Sequence, residues 1–579
     1  MTKYILSISI GPVQEFIAAG RRTNDLYKGS ELISEATKVA ARALRAFQAA
    51  GCQLIFPTAE MVADGEPNAA KRSVTNKILA VLDIDPKEPA AAAKKAVRDW
   101  LRGQWETVMR RRDMGTSCIR EEIARQQIGS FVEFYAAWSN WDGAHGESYQ
   151  RARQCAELRL AGRKALREFK QPQKSVGVPK SPLDPSRDSV IKLIEDCSDA
   201  PLRLKPNEHL DAVSVLKRVL GHGGNVPSTS DIAARMLEAS IEASGSAEEK
   251  TKLKVIQETA VGRRGFIGDL VFKTRREEIL DPEAMEDPRE VKAVRELQGR
   301  YDERDIPEAD PYYAILLSDG DSMGKLISTK NSPEEHIELS EKLAAFADKV
   351  GAIVEEHSGH KIYAGGDDVL ALLPVHTCVA CAAKLSQTFQ CVGSTLSVGI
   401  AVLHYHDPLQ VGIRYARAAE RLAKNKSGQP ADRGNRLALT FHVRGGQARS
   451  AVWNWGSGLP FDQAKDDEGS VGSDDNTVAD WSTWANAFDK GLSKGFPYEL
   501  ELLARETRGS EQLARLLKLE AARIFDRKKK AEGKLSDRDA SRIQNTLNAV
   551  DGAAALDDLA KRLIVFRKLA KYPMEWPKE

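Results

Sequence analysis

The order of apolar segments predicts an α+β protein with two ferredoxin-like domains, helical insertions and a C-terminal helical bundle. Three observations carry this prediction. Between residues 312 and 443 the pattern reads as strand, helix, two strands, helix, strand, helix and strand, and this order contains the βαββαβ unit. An apolar strand at the N-terminus repeats the first of these strands, and from residue 481 to residue 571 Leu and Ala recur at helical spacing.

Each element is predicted from apolar periodicity and from the residues that interrupt it. Residues 4–10 read as a strand that ends at Gly11-Pro12, and a helical pattern follows from residue 13 to residue 50. Residues 89–170 and 189–300 are predicted to be mostly helical, with a break at 221–230 that contains Gly223, Gly224 and Pro227. In the second half the predicted strands lie at 312–318, 361–364, 369–374, 395–403 and 436–443, and the predicted helices at 334–357, 377–391 and 410–426.

The chain divides into four predicted domains, because 579 residues are too many for one ordinary hydrophobic core. The sequence pattern changes after residue 170, before residue 306 and after residue 446, and these changes place the boundaries. The predicted domains are a first sheet domain with a helical insertion at 1–170, a mostly helical intermediate domain at 171–305, a second sheet domain at 306–446 and a helical bundle at 447–579.

The composition, with 42% hydrophobic and 29% charged residues, is that of a soluble globular protein. No apolar run approaches the roughly 20 residues that a membrane span needs, so no membrane partner is expected. The first apolar run lacks a small-residue cleavage site, and the seven cysteines suggest no disulfide framework, so a cytoplasmic location is predicted. The net charge of +2 excludes little, while basic stretches at 110–112, 151–174 and 527–530 fit either phosphate contacts or solvated helix faces.

The two sheet domains share a short internal repeat. Residues 4–12 align with residues 313–321, and this register places Ile10 where the second copy has Asp319. The first domain is therefore predicted to be a degenerate copy that has lost an acidic residue at the end of its first strand.

An acidic constellation in the second sheet domain carries the predicted chemistry. Asp319 ends a buried apolar strand, and Asp367 and Asp368 follow Gly365 and Gly366 in a turn between two strands. The intervening helix and strand allow this turn to return beside Asp319. Carboxylates of this kind hold Mg²⁺ or Mn²⁺, and a two-metal site activates a ribose hydroxyl for attack on an α-phosphate. The alternative is a solvated turn whose aspartates cap backbone amides.

Residues around the acidic positions are candidates for binding a nucleotide such as ATP. Gly365 and Gly366 allow close approach to the backbone, and Met323-Gly324-Lys325 opens a helix whose amides and ammonium can meet phosphate oxygens. The lysines of the last helix fit a phosphate site and a helix C-terminal charge equally well. The full set of candidates is Gly320, Met323, Gly324, Lys325, Gly365, Gly366, Lys424 and Lys426.

These motifs resemble the large, polymerase-like subunit of type III CRISPR effector complexes in its Cmr form, whose two sheet domains are nucleotidyl cyclase-like palms. The resemblance extends from residue 1 to roughly residue 446. The segments that carry it are 9–17, 21–30, 312–326 and 363–374.

The resemblance implies a function for the second palm. Within a guide-RNA complex with other Cmr-type subunits, target RNA would switch on conversion of ATP to a cyclic oligoadenylate or a related adenylylated messenger for antiviral defence. Asp319, Asp367 and Asp368 would be the catalytic metal ligands, and Asp321 is a further residue carried over by the resemblance.

Two departures from the family pattern carry further expectations. The first palm strand starts within the first ten residues, and His406-Asp407 is the only His-Asp pair, so no N-terminal HD nuclease domain and no DNase activity are expected. Residues 180–187 have no cysteine where the family often has a zinc cluster, so no structural zinc is expected. Cys378 and Cys381 have metal-like spacing but lie in an apolar helix, which favours buried thiols.

Two other functions stay open from the sequence. A diguanylate cyclase carries a related palm with Gly-Gly followed by acidic residues and an aromatic residue, whereas Val369 follows Asp368 here, and it would prefer GTP. A non-catalytic scaffold of the guide-RNA complex would carry the same turn without metal binding.

Overall fold

The structure is a computed structural model. It describes residues 3–63, 73–111, 118–166, 177–192, 309–425, 433–455, 481–509, 511–529, 535–572 and 574. Between residues 193 and 308 it describes residues 202, 204, 208–222, 226–247, 249–251, 253–254, 257, 268–272 and 274–275.

The first palm domain contains a four-stranded antiparallel sheet in the order β2-β3-β1-β4. Its strands are β1 (Lys3–Gly11), β2 (Cys52–Phe56), β3 (Lys77–Leu82) and β4 (Glu133–Trp141). Its helices are α1 (Gln14–Ala18), α2 (Thr23–Arg45), α3 (Lys87–Met109), α4 (Glu121–Phe131) and α5 (Glu147–Ala165), with 3-10 turns at Gln48–Ala50 and Glu60–Val62.

Strand β4 corrects the predicted helical segment at 89–170. It pairs with β1 along its whole length, from Glu133 opposite Gly11 to Trp141 opposite Lys3. Helices α3, α4 and α5 lie on either side of it, as the sequence predicts. The aromatic residues of β4 suit a strand, but its preference is realised only through pairing with a segment more than one hundred positions away in the chain.

The intermediate domain is tied to the first palm by buried charges. The helices that can be bounded among its described residues are α6 (Ala212–Gly221), α7 (Thr229–Ser244) and α8 (Gly268–Val271). Arg218 donates to Glu208 at 2.8 Å and to Asp25 of α2 at 3.1 Å, and all three side chains are buried. Lys217 beside it donates to backbone carbonyls of Phe16 and Ala19, and burial lowers its pKa to about 8.

The prediction of helix at 189–300 holds only in part. Residues 189–192 and 208–211 lie outside helices, and Ile191 forms a strand bridge with Ile119. The predicted break at 221–230 is confirmed at its described residues, because α6 ends at Gly221 and Ser228 caps α7 by accepting from the Asp231 amide.

The second palm domain has a six-stranded sheet in the order β10-β9-β8-β5-β7-β6, in which only β8 and β9 run parallel. The strands are β5 (Tyr312–Gly320), β6 (His360–Gly365), β7 (Asp368–Pro374), β8 (Leu396–His404), β9 (Arg436–Phe441) and β10 (Arg449–Asn454). The helices are α9 (Met323–Ser328), α10 (Pro333–Glu356), α11 (Cys378–Phe389) and α12 (Leu409–Lys424), with a 3-10 turn at Gln390–Val392. All eight elements predicted between residues 312 and 443 are confirmed, and β10 extends the sheet past residue 446.

The two sheets confirm the predicted duplication. Strands β2-β3-β1-β4 have the same order and directions as β6-β7-β5-β8. Ser9 is the last residue of β1 paired with β3, and Ser318 is the last residue of β5 paired with β7. The next residues are Ile10 and Asp319, so Ile10 occupies the place of Asp319 in the first palm.

Strand β5 is buried on both faces, which explains its continuous apolar run. Ala314 and Leu316 pack in a core with α10 and α11, whereas Tyr313 and Ile315 pack with α7 and α12. Asp319 lies an even number of residues after Tyr313 and Ile315, so its side chain lies on the same face of the sheet as theirs, the face covered by α12.

The C-terminal region is helical, as predicted. Its helices are α13 (Trp481–Asp489), α14 (Phe496–Glu506), α15 (Glu511–Lys528), α16 (Asp537–Ala549) and α17 (Gly552–Leu569). Helix α17 packs on β10, which joins the bundle to the second palm. None of the described helices is long and apolar enough to cross a membrane.

The described cysteines include free thiols and one disulfide-bonded residue. Cys378 and Cys381 are free and buried in α11, and burial raises the pKa of both thiols, so both act as small apolar residues. Cys118 is disulfide-bonded, which the sequence did not indicate.

Candidate active site

Asp319 lies at the end of β5, where it has neighbours on strand β8 and helix α12. Asp319 pairs with Ser397 of β8, and its side chain is 33% exposed. Its carboxylate contacts the ammonium group of Lys424, the last residue of α12. Lys424 also donates to the Gly320 carbonyl at 3.1 Å, and Glu420 lies 3.8 Å from its ammonium. The lysine therefore places a positive charge directly on the strand-end carboxylate.

Gly320 allows the acidic turn to approach β5. A Cβ atom at this position would lie 2.7 Å from Met323 Cγ, 2.9 Å from Asp367 Cβ and 2.9 Å from Phe389 Cζ. Real Cβ atoms do not approach other atoms this closely, so only glycine fits here. Asp367 is thus brought into contact with the end of β5, as the sequence predicts.

The Gly-Gly-Asp-Asp turn joins β6 to β7 and lies against the first palm. Gly366 has φ of 75°, and a Cβ atom on it would be 3.4 Å from Thr75 Cγ2 of the first palm. Burial raises the pKa of Asp367, while Lys77 of the first palm acts in the opposite direction. The turn therefore combines a glycine in the left-handed region of backbone conformation with carboxylates that are partly shielded from water.

Asp368 has the stronger electrostatic perturbation of the two adjacent acids. Burial raises its pKa to about 7, and repulsion from Asp367 and Glu420 adds to this effect. The guanidinium of Arg417 on α12 opposes it and also donates to the Gln14 carbonyl of the first palm at 3.4 Å. Negative charge therefore accumulates around the turn, a condition that favours a bound cation.

One cavity of about 410 Å³ collects most of the predicted site residues. It is lined by Asp319, Gly320, Asp321, Ser322, Met323, Gly324, Asp367, Lys424, Arg433 and Gly434. Asp368, Gly365 and Gly366 belong to the adjoining turn and are not in its lining. Lys325 is exposed on α9 and does not line the cavity either, and Lys426 lies outside the described residues.

Sequence reasoning missed Arg433, Gly434, Glu420 and Arg417. Glu420 and Lys424 stand four positions apart on one helix, a spacing that puts them on the same face. Arg417 lies a further turn away on the same helix. This periodicity is a usable signal for both residues, whereas nothing in the sequence brings residues 433 and 434 to the end of β5.

Asp321 is engaged entirely by protein donors. Its carboxylate accepts from Ser397 Oγ at 2.6 Å, from Thr395 Oγ1 at 2.8 Å and from the Asn435 amide at 2.7 Å. Its side chain is buried, with 8% exposure. The role of metal ligand that the family resemblance suggested for Asp321 does not fit a carboxylate with these partners.

Among the described residues, no three acidic, histidine or cysteine side chains stand together closely enough to hold a metal ion. Asp319 and Asp367 share the cavity, whereas Asp368 is outside its lining and is influenced electrostatically by Glu420 and Arg417. A metal ion bound to Asp319 would compete with the Lys424 ammonium for its carboxylate.

The fold and the acidic turn define a protein with two palm domains, of which the second carries the Gly-Gly-Asp-Asp site. Comparison with family models agrees: a model described as Cas10/Cmr2, second palm domain, matches residues 312–431, and one described as CRISPR-associated protein Cmr2, N-terminal, matches residues 5–110. The second palm and the N-terminal part of the chain are therefore each similar to a domain of the Cas10/Cmr2 family.

Individual proteins are similar to this chain in sequence or in fold. The chain is 32% identical over 186 residues to the CRISPR system Cmr subunit Cmr2 of Pyrococcus furiosus, a match that covers 26% of this chain and 21% of that relative. Its fold is similar to a chain of the type III-B Cmr-beta complex solved by cryo-electron microscopy in the apo state, with a TM-score of 0.64, 13% identity and coverage of 98% of this chain and 82% of that one. The same complex bound to cognate target RNA gives a TM-score of 0.64 at 13% identity, with coverage of 98% and 83%.

Proposed function

We propose that this chain is the large subunit of a cytoplasmic guide-RNA complex with other Cmr-type subunits, in which target RNA activates the second palm. The active palm converts ATP to a cyclic oligoadenylate or a related adenylylated messenger. The observation that carries this proposal is the contact of the Asp367 turn with the end of the Asp319 strand at a cavity of about 410 Å³. A cavity of this size accommodates a nucleotide.

Mg²⁺ or Mn²⁺ is the proposed cofactor, and the residues present fit it. Asp319 already holds a cationic group, and Asp367 and Asp368 have pKa values raised by burial, so the site carries negative charge that lacks full compensation. Carboxylate oxygens are the ligands that these ions prefer. When bound, a metal pair would activate the attacking hydroxyl and stabilise the departing pyrophosphate.

The residues of the chain have separate parts in this proposal. Asp319, Asp367 and Asp368 would hold the metal ions, and Gly320 allows Asp367 to pack against the end of the strand that carries Asp319. Lys424, once released from Asp319, lies in the cavity as a positive group for a nucleotide phosphate. Gly324 lines the cavity, whereas Lys325 would meet phosphate only from the rim, because it lies outside the cavity lining.

The product formed by the complex tests this function. We expect the complex that contains this chain to release pyrophosphate from ATP with Mg²⁺ only when target RNA is present, and mass spectrometry to detect an adenylate product. ATP and GTP supplied together distinguish the base preference. A guanylate product would support the cyclase alternative, and no product from either nucleotide would support the scaffold alternative.

Metal binding gives an independent measurement on the isolated chain. We expect Asp319→Asn to weaken Mn²⁺ binding, followed by electron paramagnetic resonance, by about tenfold or more, because an amide is a poorer ligand than a carboxylate. Asp348→Asn is a matched control on α10, away from the cavity lining. Equal Mn²⁺ affinity in the wild type and the Asp319 variant would contradict the ligand assignment.

A further inference from the structure

The described loop segment at residues 433–435 forms one wall of the Asp319 cavity. Arg433, Gly434 and Asn435 lead into β9, and the first two line the cavity together with Asp319 and Lys424. Gly434 and Asn435 have positive φ values of 74° and 53°. Asparagine tolerates this region better than most residues, and glycine adopts it freely. The loop therefore needs specific contacts to hold this conformation.

Asp321 supplies the central contact of the loop. Its carboxylate accepts from the Asn435 amide at 2.7 Å, while Ser397 and Thr395 fix the same carboxylate from β8 and the turn before it. Its backbone is anchored as well, because its amide donates to the Thr395 carbonyl at 2.8 Å and its carbonyl accepts from Ser394 Oγ at 2.5 Å. The carboxylate is thus held rigidly and offers a fixed acceptor to the loop.

The backbone of the loop makes close contacts of its own. A Cβ atom on Gly434 would lie 2.6 Å from Asp321 Cγ and 2.6 Å from its Oδ1, so the backbone of Gly434 packs directly on the carboxylate. The Gly434 amide also donates to the Lys424 carbonyl at 3.1 Å, and the Asn435 carbonyl accepts from the Trp455 amide at 3.0 Å. The loop is therefore connected to Lys424, whose ammonium contacts Asp319.

We propose that Asp321 is a positioning residue that holds Arg433–Asn435 as a wall of the nucleotide cavity, where the Arg433 guanidinium meets a substrate phosphate. The proposal rests on the proposed function, which supplies ATP as the substrate. A guanidinium is well suited to phosphate oxygens because its donors form a planar fork. Asp321 acts through the loop and does not bind the metal ion.

Two substitutions of Asp321 separate positioning from metal binding. In Asp321→Asn, the amide oxygen can still accept from the Asn435 amide and Thr395, and the amide nitrogen can donate to the Ser397 hydroxyl. We expect this variant to bind ATP and Mn²⁺ within about twofold of the wild type. Asp321→Ala removes the acceptor, so we expect ATP affinity and KM to worsen about tenfold while Mn²⁺ affinity and kcat stay within about threefold.

Gly434→Ala and Arg433→Gln test the loop without altering Asp321. The added methyl group of Gly434→Ala displaces the loop from the carboxylate, so its ATP affinity should fall as in Asp321→Ala. If the loop acts through Arg433, adding Asp321→Ala to the Arg433→Gln variant should cause little further loss of ATP affinity. The melting temperature of each variant, measured on the full chain, identifies any general loss of folding.

The outcomes separate this proposal from the proposed function. Loss of Mn²⁺ binding in both Asp321→Asn and Asp321→Ala would make Asp321 a metal ligand and overturn the positioning role. Unchanged ATP affinity in a folded Asp321→Ala or Gly434→Ala variant would overturn it too. A wild-type complex that binds ATP but forms no product overturns the proposed function, and the ATP titrations of the variants still decide the role of Asp321.

Discussion

Replacing Asp367 and Asp368 together by alanine is expected to abolish the conversion of ATP, with a loss of at least about a thousandfold in kcat. The two carboxylates form the turn that contacts the end of β5, and the proposed metal ions would lose most of their ligands. Pyrophosphate release from ATP, measured on the complex with target RNA and Mg²⁺, checks this expectation.

The same double substitution should leave the fold intact. Asp367 and Asp368 are adjacent like charges in a partly buried turn, and burial raises the pKa of both, so their ionised forms do not stabilise the domain. We expect an unchanged or slightly higher melting temperature at pH 8. Replacement of the exposed neighbours Glu355 and Glu356 on α10 by alanine is the matched control. Activity of the Asp367 and Asp368 variant within threefold of this control would contradict the site.

The second palm domain is predictable from sequence because its strands β5, β7 and β8 are buried on both faces and its longest helix begins at a clear signal. Ser332 caps α10 by accepting from the Glu335 amide, and Pro333 occupies its first turn. Strand β10 lacks such signals, and it becomes a strand by pairing with β9. Strand β4 likewise depends on β1, so local periodicity alone assigns it to the surrounding helices.

The part of the candidate site that is predictable from sequence is the set of carboxylates at the ends of buried strands. Asp319 and the acidic turn combine buried carboxylates with strand ends, and the contact across Gly320 follows from the order of the strands. The pairing of Lys424 with Asp319 and the use of Asp321 by the loop are not predictable, because both depend on side chains of distant elements. Sequence pattern identifies an acidic residue near a site, but it does not distinguish a metal ligand from a hydrogen-bond acceptor.

Gly320→Ala is expected to have the second largest effect, because it separates the two halves of the acidic site. The new methyl group would overlap Met323, Asp367 and Phe389 at 2.7–2.9 Å. Phe389 belongs to the buried core and Asp367 to the turn, so the turn must move. Overpacking of this kind costs about 1–3 kcal/mol of stability, and a displacement of about 1 Å at a catalytic group lowers kcat by about a hundredfold.

A glycine in open surroundings separates this effect from the general consequence of adding a methyl group. Gly103 of α3 has no atom within 4 Å of a Cβ position, so Gly103→Ala should match or exceed the wild type in stability and keep full activity. We expect Gly320→Ala to lose kcat at temperatures well below its melting point, with Mn²⁺ binding weakened because Asp319 and Asp367 no longer approach each other. A Gly320→Ala variant with wild-type kcat and Mn²⁺ affinity would mean that close contact between β5 and the acidic turn is not required for catalysis.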